Sequence, residues 1–483
     1  MPELSRKRRY LVLAICCLSL FIVGMDTTIV NLALPSIGRD FRAPVSGLQW
    51  TIDAYTLVIA SLLMLSGSTG DRVGRRRVFQ IGLGVFTLGS LACSLAPSLG
   101  WLIAFRALQA IGGSMLNPVA MSIVTNTFTD AKERAQAIGV WGSVFGLSMA
   151  LGPVIGGALV DSIGWRGVFW INIPIGLAAI VLTALFVPES RAARARKLDP
   201  VGQVLVIAFL GTLIYAIIEG PTFGWGSPRI LGFFAAAAVC LAVFLWLEPR
   251  REEPLVDLRF FRSLPFSGAA VSAVSATLAM AGFLFLMTLY LQDVRGYEPL
   301  IAGLFLLPMA VAMAASAPLA GRMIASRGSP RVPLVIAGLG IMIGGALLVG
   351  LTASSPTWYV VVSAMVFGVG MGWVNAPITN SAVSGMPRSQ AGVASGIAST
   401  SRQVGTSLGV AIMGSVLAAN LHGPMASGFA SATRPGWWIT AGCGFVVLVL
   451  ALWTTGRTGR ASAERAAALI LEGEQEPKVP VGI

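Results

Sequence analysis

Asp26, Asp53, Arg106 and Arg402 each fall within a long apolar run. A charge at hydrocarbon depth costs about 2.5–3.5 kcal/mol or more unless it meets a partner or water. A carboxyl group removed from water favours its neutral form, and a nearby arginine reverses that preference. A carboxylate whose arginine partner moves between two conformations is therefore a proton switch. Asp26 is the leading carrier for that chemistry and Arg106 its partner. Asp53, in Gln49-Trp-Thr-Ile-Asp-Ala-Tyr55, is the second embedded acid, and its place near a span end also fits a wetted, structural role. Arg106, Gln109, Gly113 and Asn117 share one helical face, as do Ser399, Arg402, Thr406 and Gly409. With Asn31, Trp373 and Asn375, the residues Gln109, Asn117 and Arg402 are candidates to line a substrate cavity. Phe283, Phe285, Met287 and Tyr290 are candidates too, with lipid-facing as their default.

Other chemistry finds little support. The one histidine, His422, falls in an expected outer loop, and none of the five cysteines forms a C-x-x-C pair, so no metal or redox motif is visible. No nucleophile, base or metal cluster points to an enzyme, and no cofactor is expected.

The elements that position these residues follow from composition. The chain has 483 residues, 55% hydrophobic and only 11% charged, with mean hydropathy +0.79, where a soluble chain carries about 25% charged residues. This is a polytopic helical membrane protein. Apolar segments of spanning length lie at roughly 11–34, 48–68, 78–97, 101–125, 135–160, 167–187, 203–220, 229–248, 267–291, 300–324, 332–352, 357–380, 393–420 and 436–455. The fourteen spans put both ends on one side. Most of the 34 basic residues fall in one set of loops, such as Arg72–Arg77, Arg194–Lys197, Arg388 and Arg457–Lys478. The opposite loops hold Arg39, Arg42, Arg166, Arg229, Arg295 and Arg434. The positive-inside rule makes the first set, and both termini, cytoplasmic. The net charge of +13 is then membrane topology, not a nucleic-acid footprint.

Gly67, Gly74 and Arg77 recur in phase as Gly321, Gly328 and Arg331. The repeat predicts a cytoplasmic N-terminus (1–10), a six-helix half (11–190), a linker with two extra helices (191–266), a second six-helix half (267–455) and a cytoplasmic tail (456–483) that is polar and partly disordered. Parallel halves of this kind place a substrate site at their interface.

The strongest motif is the loop Gly67-Ser-Thr-Gly-Asp71-Arg72-Val-Gly74-Arg75-Arg76-Arg77. Asp71 can accept from arginine and from a helix N-terminus. The loop resembles the signature of the major facilitator superfamily, where it latches the two halves on the cytoplasmic side. In the fifth span Gly142, Gly146, Met149, Pro153 and Gly156 share a face. The string Gly152-Pro153-x-x-Gly156-Gly157, with Gly146 a turn and a half earlier, is similar to the antiporter motif of that superfamily. Arg106-x-x-Gln109-x-x-Gly112-Gly113 resembles its fourth-helix motif, with the usual glycine after the glutamine displaced. Asp26-x-Thr-Ile-Val-Asn31-x-Ala-Leu-Pro35 resembles the first-helix signature of the fourteen-span drug:proton antiporters, over roughly residues 8–460.

That resemblance implies the major facilitator fold and exchange of protons for an amphipathic drug or antibiotic by alternating access. The driver is the proton motive force. The expected partners are a small substrate, protons and membrane lipids, with the chain acting as a monomer in the inner (plasma) membrane. No acid lies within the second-half spans, which argues for neutral or monovalent substrates over dications. The alternatives are a dedicated exporter of one natural product, a proton-coupled uptake symporter and a non-transporting receptor. The last leaves Asp26 and Arg106 without a purpose.

Overall fold

A computed structural model describes residues 5–192, 199–251, 254–384, 386 and 390–475. Arg194, Arg196, Lys197, Arg388, Lys478 and the rest of 476–483 lie outside the described residues. The first half comprises α1 (Arg6–Phe41), α2 (Val45–Val73), α3 (Arg75–Ser94), α4 (Leu99–Thr127), α5 (Ala131–Ile163) and α6 (Gly167–Phe186). Two further helices follow, α7 (Pro200–Phe223) and α8 (Pro228–Leu247). The second half comprises α9 (Leu264–Leu289, continued by a π turn at Tyr290–Val294), α10 (Pro299–Arg327), α11 (Arg331–Leu348), α12 (Thr357–Val383), α13 (Ala391–Asn420) and α14 (Met425–Thr454). Among the described residues there is no strand, and 13 helices are long and apolar enough to cross a membrane. α13 is as long as these, at 30 residues, but more polar.

Local chemistry sets several boundaries. The Asp130 carboxylate accepts from the backbone N–H of Lys132 and Glu133 and starts α5. Asp199 and Ser227 cap α7 and α8 in the same way, each satisfying an N–H that has no partner inside the helix. α12, expected as one rod, breaks after Gly372 and resumes at Asn375. Pro377 is the cause. It has no N–H to offer the Trp373 carbonyl, and its ring crowds that oxygen.

Of the tail, 476–483 lie outside the described residues, and Arg457–Gln475 forms α15. Its alanine-rich sequence favours helix, and Ala463, Ala466 and Ile470 are buried. Ser462 Oγ accepts from the Leu264 backbone N–H, so the tail docks on the start of α9. Phe283, Phe285, Met287 and Tyr290 depart from the lipid-facing expectation. All are buried in the core; Phe283 stacks on Phe367 with ring centres 4.6 Å apart.

The halves touch along seams at one end of the bundle, away from Gly74. Gly157 abuts the Pro299 backbone, and Gly303 the Pro153 carbonyl, so α5 and α10 meet backbone to backbone. A Cβ at either position would collide with main chain, and small residues are what allow such approach. The Leu300 N–H donates to Asp161 Oδ2 (2.9 Å), Gln292 Nε2 to the Leu32 carbonyl (3.0 Å), and Gln49 Nε2 to the Ala411 carbonyl (2.8 Å). α7 lies over the α2–α13 seam. Its Gln203 donates to the Ser61 carbonyl, its Ile217 carbonyl accepts from Ser415, and its Glu219 accepts from Trp50 Nε1. At the other end Gly139, Gly142 and Gly146 of α5, Gly321 of α10 and Gly392 and Gly396 of α13 have open space where a Cβ would stand. There the halves part and leave a cleft.

Both repeat-loop glycines have positive φ, in different conformations: Gly328 is left-handed helical (φ 62°, ψ 18°), whereas Gly74 (φ 127°, ψ 129°) lies in a region that favours glycine strongly. Gly74 also lies against the Glu189 carboxylate. Gly74→Ala is therefore expected to cost about 1–3 kcal/mol and to lower the midpoint of thermal unfolding in detergent. Gly84, helical and facing open space, serves as the control: its alanine variant should unfold at or above the wild-type temperature.

Candidate functional site

Asp26 and Arg106 meet at the centre of the first half. Arg106 Nη1 donates to Asp26 Oδ2 at 2.6 Å, and the two side chains are 1% and 0% exposed. Burying such a pair carries a desolvation penalty that is offset only as the remaining lone pairs and protons are also satisfied. Both carboxylate oxygens and two of the guanidinium nitrogens are, while the Tyr55 hydroxyl and Asn172 Oδ1 beside them are buried without a partner. Asp26 Oδ1 accepts from Gln109 Nε2 (3.0 Å) and Asn172 Nδ2 (3.1 Å). Arg106 also donates from Nε to the Thr51 carbonyl (3.2 Å) and from Nη1 to Gln109 Oε1 (2.7 Å). Its guanidinium lies 4.1 Å from the Tyr55 ring centre, a cation–π contact. Ser90 Oγ accepts from Gln109 and Asn172 and closes the network.

α5 covers the back of this cluster. Gly152 lies against Thr28 and Gly156 against Ile29, while Gly24 on α1 faces Ser148. Two of the glycines of the Gly152–Gly157 string thus seat α5 on the helix that carries Asp26, and Gly157 turns to α10. Gly146 packs against nothing and faces the open end.

Asp53 has a different setting. It is also fully buried, but its Oδ1 accepts from hydroxyls, Thr56 Oγ1 at 3.1 Å and Ser407 Oγ at 3.0 Å. Its Oδ2 has no hydrogen-bond partner, and no cation pairs with it among the described residues. Ser407 belongs to α13, so Asp53 sits on the seam between halves.

The remaining candidates separate. Asn31 is buried with its Oδ1 unpartnered, and Asn117 Oδ1 is likewise buried and free of hydrogen bonds. Gln109, expected on a cavity wall, instead belongs to the Asp26 network. Trp373 is buried in the core of the second half, whereas Asn375 is exposed at the break in α12. Arg402 is half-buried and donates from Nη2 to Thr379 Oγ1 at 2.8 Å.

The loop motif folds back on its own half. Arg75 Nε and Nη2 donate to Asp71 Oδ1 (2.9 and 2.7 Å). The α3 N-terminus is met by Glu189, whose Oε1 accepts from the Arg76 backbone N–H at 3.1 Å, as the positive end of a helix favours. Arg76 Nη2 donates to the Ala184 carbonyl and Arg77 lies 3.8 Å from Glu189. Gly67 packs on Pro118, and Arg72 is exposed. Among the described residues these partners all belong to α2, α3, α4 and the end of α6, so the motif latches the first half and not the two halves to each other. Sequence reasoning missed Glu189, Asn172, Ser90 and Ser407. Asn172 alone carried a signal, as an amide within the sixth apolar run.

A buried, paired acid and arginine, a second acid on an inter-half seam and a cleft between two six-helix halves define a multi-pass membrane transporter. The sequence profile of the Major Facilitator Superfamily matches residues 16–410, and the chain belongs to that superfamily. It is 40% identical over 402 residues to the multidrug resistance protein Stp of Mycobacterium tuberculosis, covering 83% of this chain and 74% of that one. It is 37% identical over 434 residues to the tetracenomycin C resistance and export protein of Streptomyces glaucescens, covering 89% and 80%. Among solved structures a D-xylose–proton symporter matches with TM-score 0.66 at 16% identity, covering 93% of this chain and 98% of that one, which shows the shared fold. The protein is a multi-pass component of the bacterial cytoplasmic membrane.

The network makes the pair testable. Arg106→Ala leaves a buried carboxylate without its counter-charge and should cost about 3–5 kcal/mol. Adding Asp26→Asn should restore much of that loss. A double-mutant cycle read by thermal unfolding checks the coupling, and simple additivity of the two single changes contradicts it.

Proposed function

We propose that the chain is a proton-coupled antiporter that exports amphipathic drugs or antibiotics by alternating access. The observation that carries this reading is the Asp26–Arg106 pair, sealed inside the half that must rock. Transporter ancestry and relatives named for multidrug resistance and antibiotic export support it, and this reading leaves no place for enzymatic catalysis. In it, α13 is the fourteenth span, and the basic loops and both termini are cytoplasmic, so the cleft opens to the cytoplasm. The chain acts as a monomer and needs no cofactor.

Asp26 is the main proton carrier. Substrate entering from the cleft and movement of α5 against α1 disturb the donors around it and release or admit the proton. Asp53 is the second titrating group, placed to register whether the halves are closed at the outer seam. Each inward charge is worth about 2.3 kcal/mol per 100 mV, and each pH unit about 1.4 kcal/mol. One proton then sustains a substrate gradient on the order of 10²–10³. Dedicated export of one natural product is the second reading, favoured by the names of relatives that resist tetracenomycin C and methylenomycin A.

Inverted vesicles acidified inside test the coupling. Adding ethidium should raise lumenal pH in the wild type and fail to do so for Asp26→Asn. If Asp53→Asn alone abolishes the response, the two acids exchange roles. A folded protein silent to a broad substrate panel rules out the multidrug reading.

A further inference from the structure

The first half neutralises its own buried charge, and the second does not. Arg402 stands near the middle of α13, in a chain segment of 30 helical residues. Its Nη2 donates to Thr379 Oγ1, its Nε is buried with no hydrogen-bond partner, and no carboxylate pairs with it among the described residues. A guanidinium offers five N–H donors in a planar fork, so most of its capacity is unused. An intramembrane arginine without a counter-ion is costly and marks a pathway or a binding site.

Its surroundings say which. Thr379 lies on the second piece of α12, just beyond the break at Trp373–Val374, and is exposed, as are Asn375 and Asn380. Polar side chains on a spanning helix do not face lipid, so this surface faces the cleft. About two and three turns nearer the N-terminus of α13, Gly396 and Gly392 border open space on a different face. The Arg402–Thr379 hydrogen bond itself is exposed, so the fork stands on the cleft wall of the second half.

We propose that Arg402, with Thr379, is a recognition site for an anionic oxygen on the exported molecule, so that the preferred substrate is a monoanionic amphiphile. This rests on the export reading. Thr379 holds the guanidinium by Nη2, which leaves Nη1 to donate a charge-assisted hydrogen bond to a carboxylate, sulfonate or phenolate oxygen. No acid in the second half competes for it among the described residues. A lipophilic cation would meet repulsion at this wall.

The test uses two probes of one shape: 8-anilinonaphthalene-1-sulfonate, permanently anionic, and N-phenyl-1-naphthylamine, its uncharged counterpart, with ethidium as the cation. Proton release from acidified inverted vesicles is titrated with each. The wild type should respond to the sulfonate at a lower concentration than to the neutral probe. Arg402→Gln should raise the sulfonate-to-neutral ratio of half-saturating concentrations by about tenfold or more, the loss of one charge-assisted hydrogen bond. Arg402→Lys should return part of it. Sulfonate exchange should also depend on a valinomycin-set membrane potential more steeply than ethidium exchange, because the two substrates differ by two charges. A wild type that answers ethidium or the neutral probe but not the sulfonate overturns this inference and leaves the export reading standing. Silence to all three overturns the export reading itself. An Arg402→Gln variant that weakens the sulfonate and the neutral probe equally makes the arginine a packing element and also overturns the inference.

Discussion

The ion pair between Asp26 and Arg106 organises the first half. Five helices supply its partners: α1 carries the acid, α4 the arginine and Gln109, α2 the Thr51 carbonyl and the Tyr55 ring, α3 Ser90, and α6 Asn172. Removing two charges from water is unfavourable by several kcal/mol per ion, and hydrogen bonds to the remaining lone pairs and protons offset it. The donors and acceptors in the cluster must therefore hold their places together. A half built this way moves as one body, and the pair changes state only when something displaces one of those helices.

α5 is the helix with that freedom. Over Gly152 and Gly156 it presses on α1, and at Gly157 it meets α10 of the other half without side chains between them. Toward its other end Gly139, Gly142 and Gly146 face open space, while Glu133 pairs with Arg9 and Ala137 is buried in the first-half core. Small residues are what let the two backbones approach this closely. The same helix thus touches the Asp26–Arg106 pair's helix on one face and the opposite half on another. In the proposed cycle, movement of the halves and the state of Asp26 are joined through it.

Much of the fold was legible in the sequence. Apolar run length located thirteen spanning helices among the described residues, because a helix needs about twenty such residues to cross a bilayer. Asp26 and Arg106 were conspicuous as opposite charges in apolar runs and were read as partners, and the structure brings them together across eighty positions. Asn172, Ser90 and Ser407 were harder. A single amide or hydroxyl in a spanning helix commonly bonds its own backbone, so nothing local distinguishes those that reach across. The α12 break was encoded at Pro377 yet passed over, because proline in a spanning helix is tolerated as often as it is disruptive. The tail helix was hidden by its polarity: only Ala463, Ala466 and Ile470 pay for burial, too few to register as an apolar run.

The seam between the halves shows why so small a driving force suffices for the proposed cycle. Opening it separates Ser407 from Asp53, Gln49 from the Ala411 carbonyl, Gln292 from the Leu32 carbonyl and Asp161 from the Leu300 N–H. Each such bond is worth about 0.5–1.5 kcal/mol net, and the ion pair Arg39–Asp293, at 3.7 Å and largely exposed on the arginine side, adds about 0–1 kcal/mol. The polar seam therefore holds the halves by a few kcal/mol. Moving a two-state equilibrium from one side to the other takes about 5.5 kcal/mol. One proton supplies about 2.3 kcal/mol per 100 mV and about 1.4 kcal/mol per pH unit. A seam of fully buried ion pairs would be too strong for that input, and a wholly apolar seam would not respond to a proton at all. Hydroxyls and amides around one acid on α2 fall between these limits, with the rigid Asp26–Arg106 body on one side of the seam and Arg402 on the other.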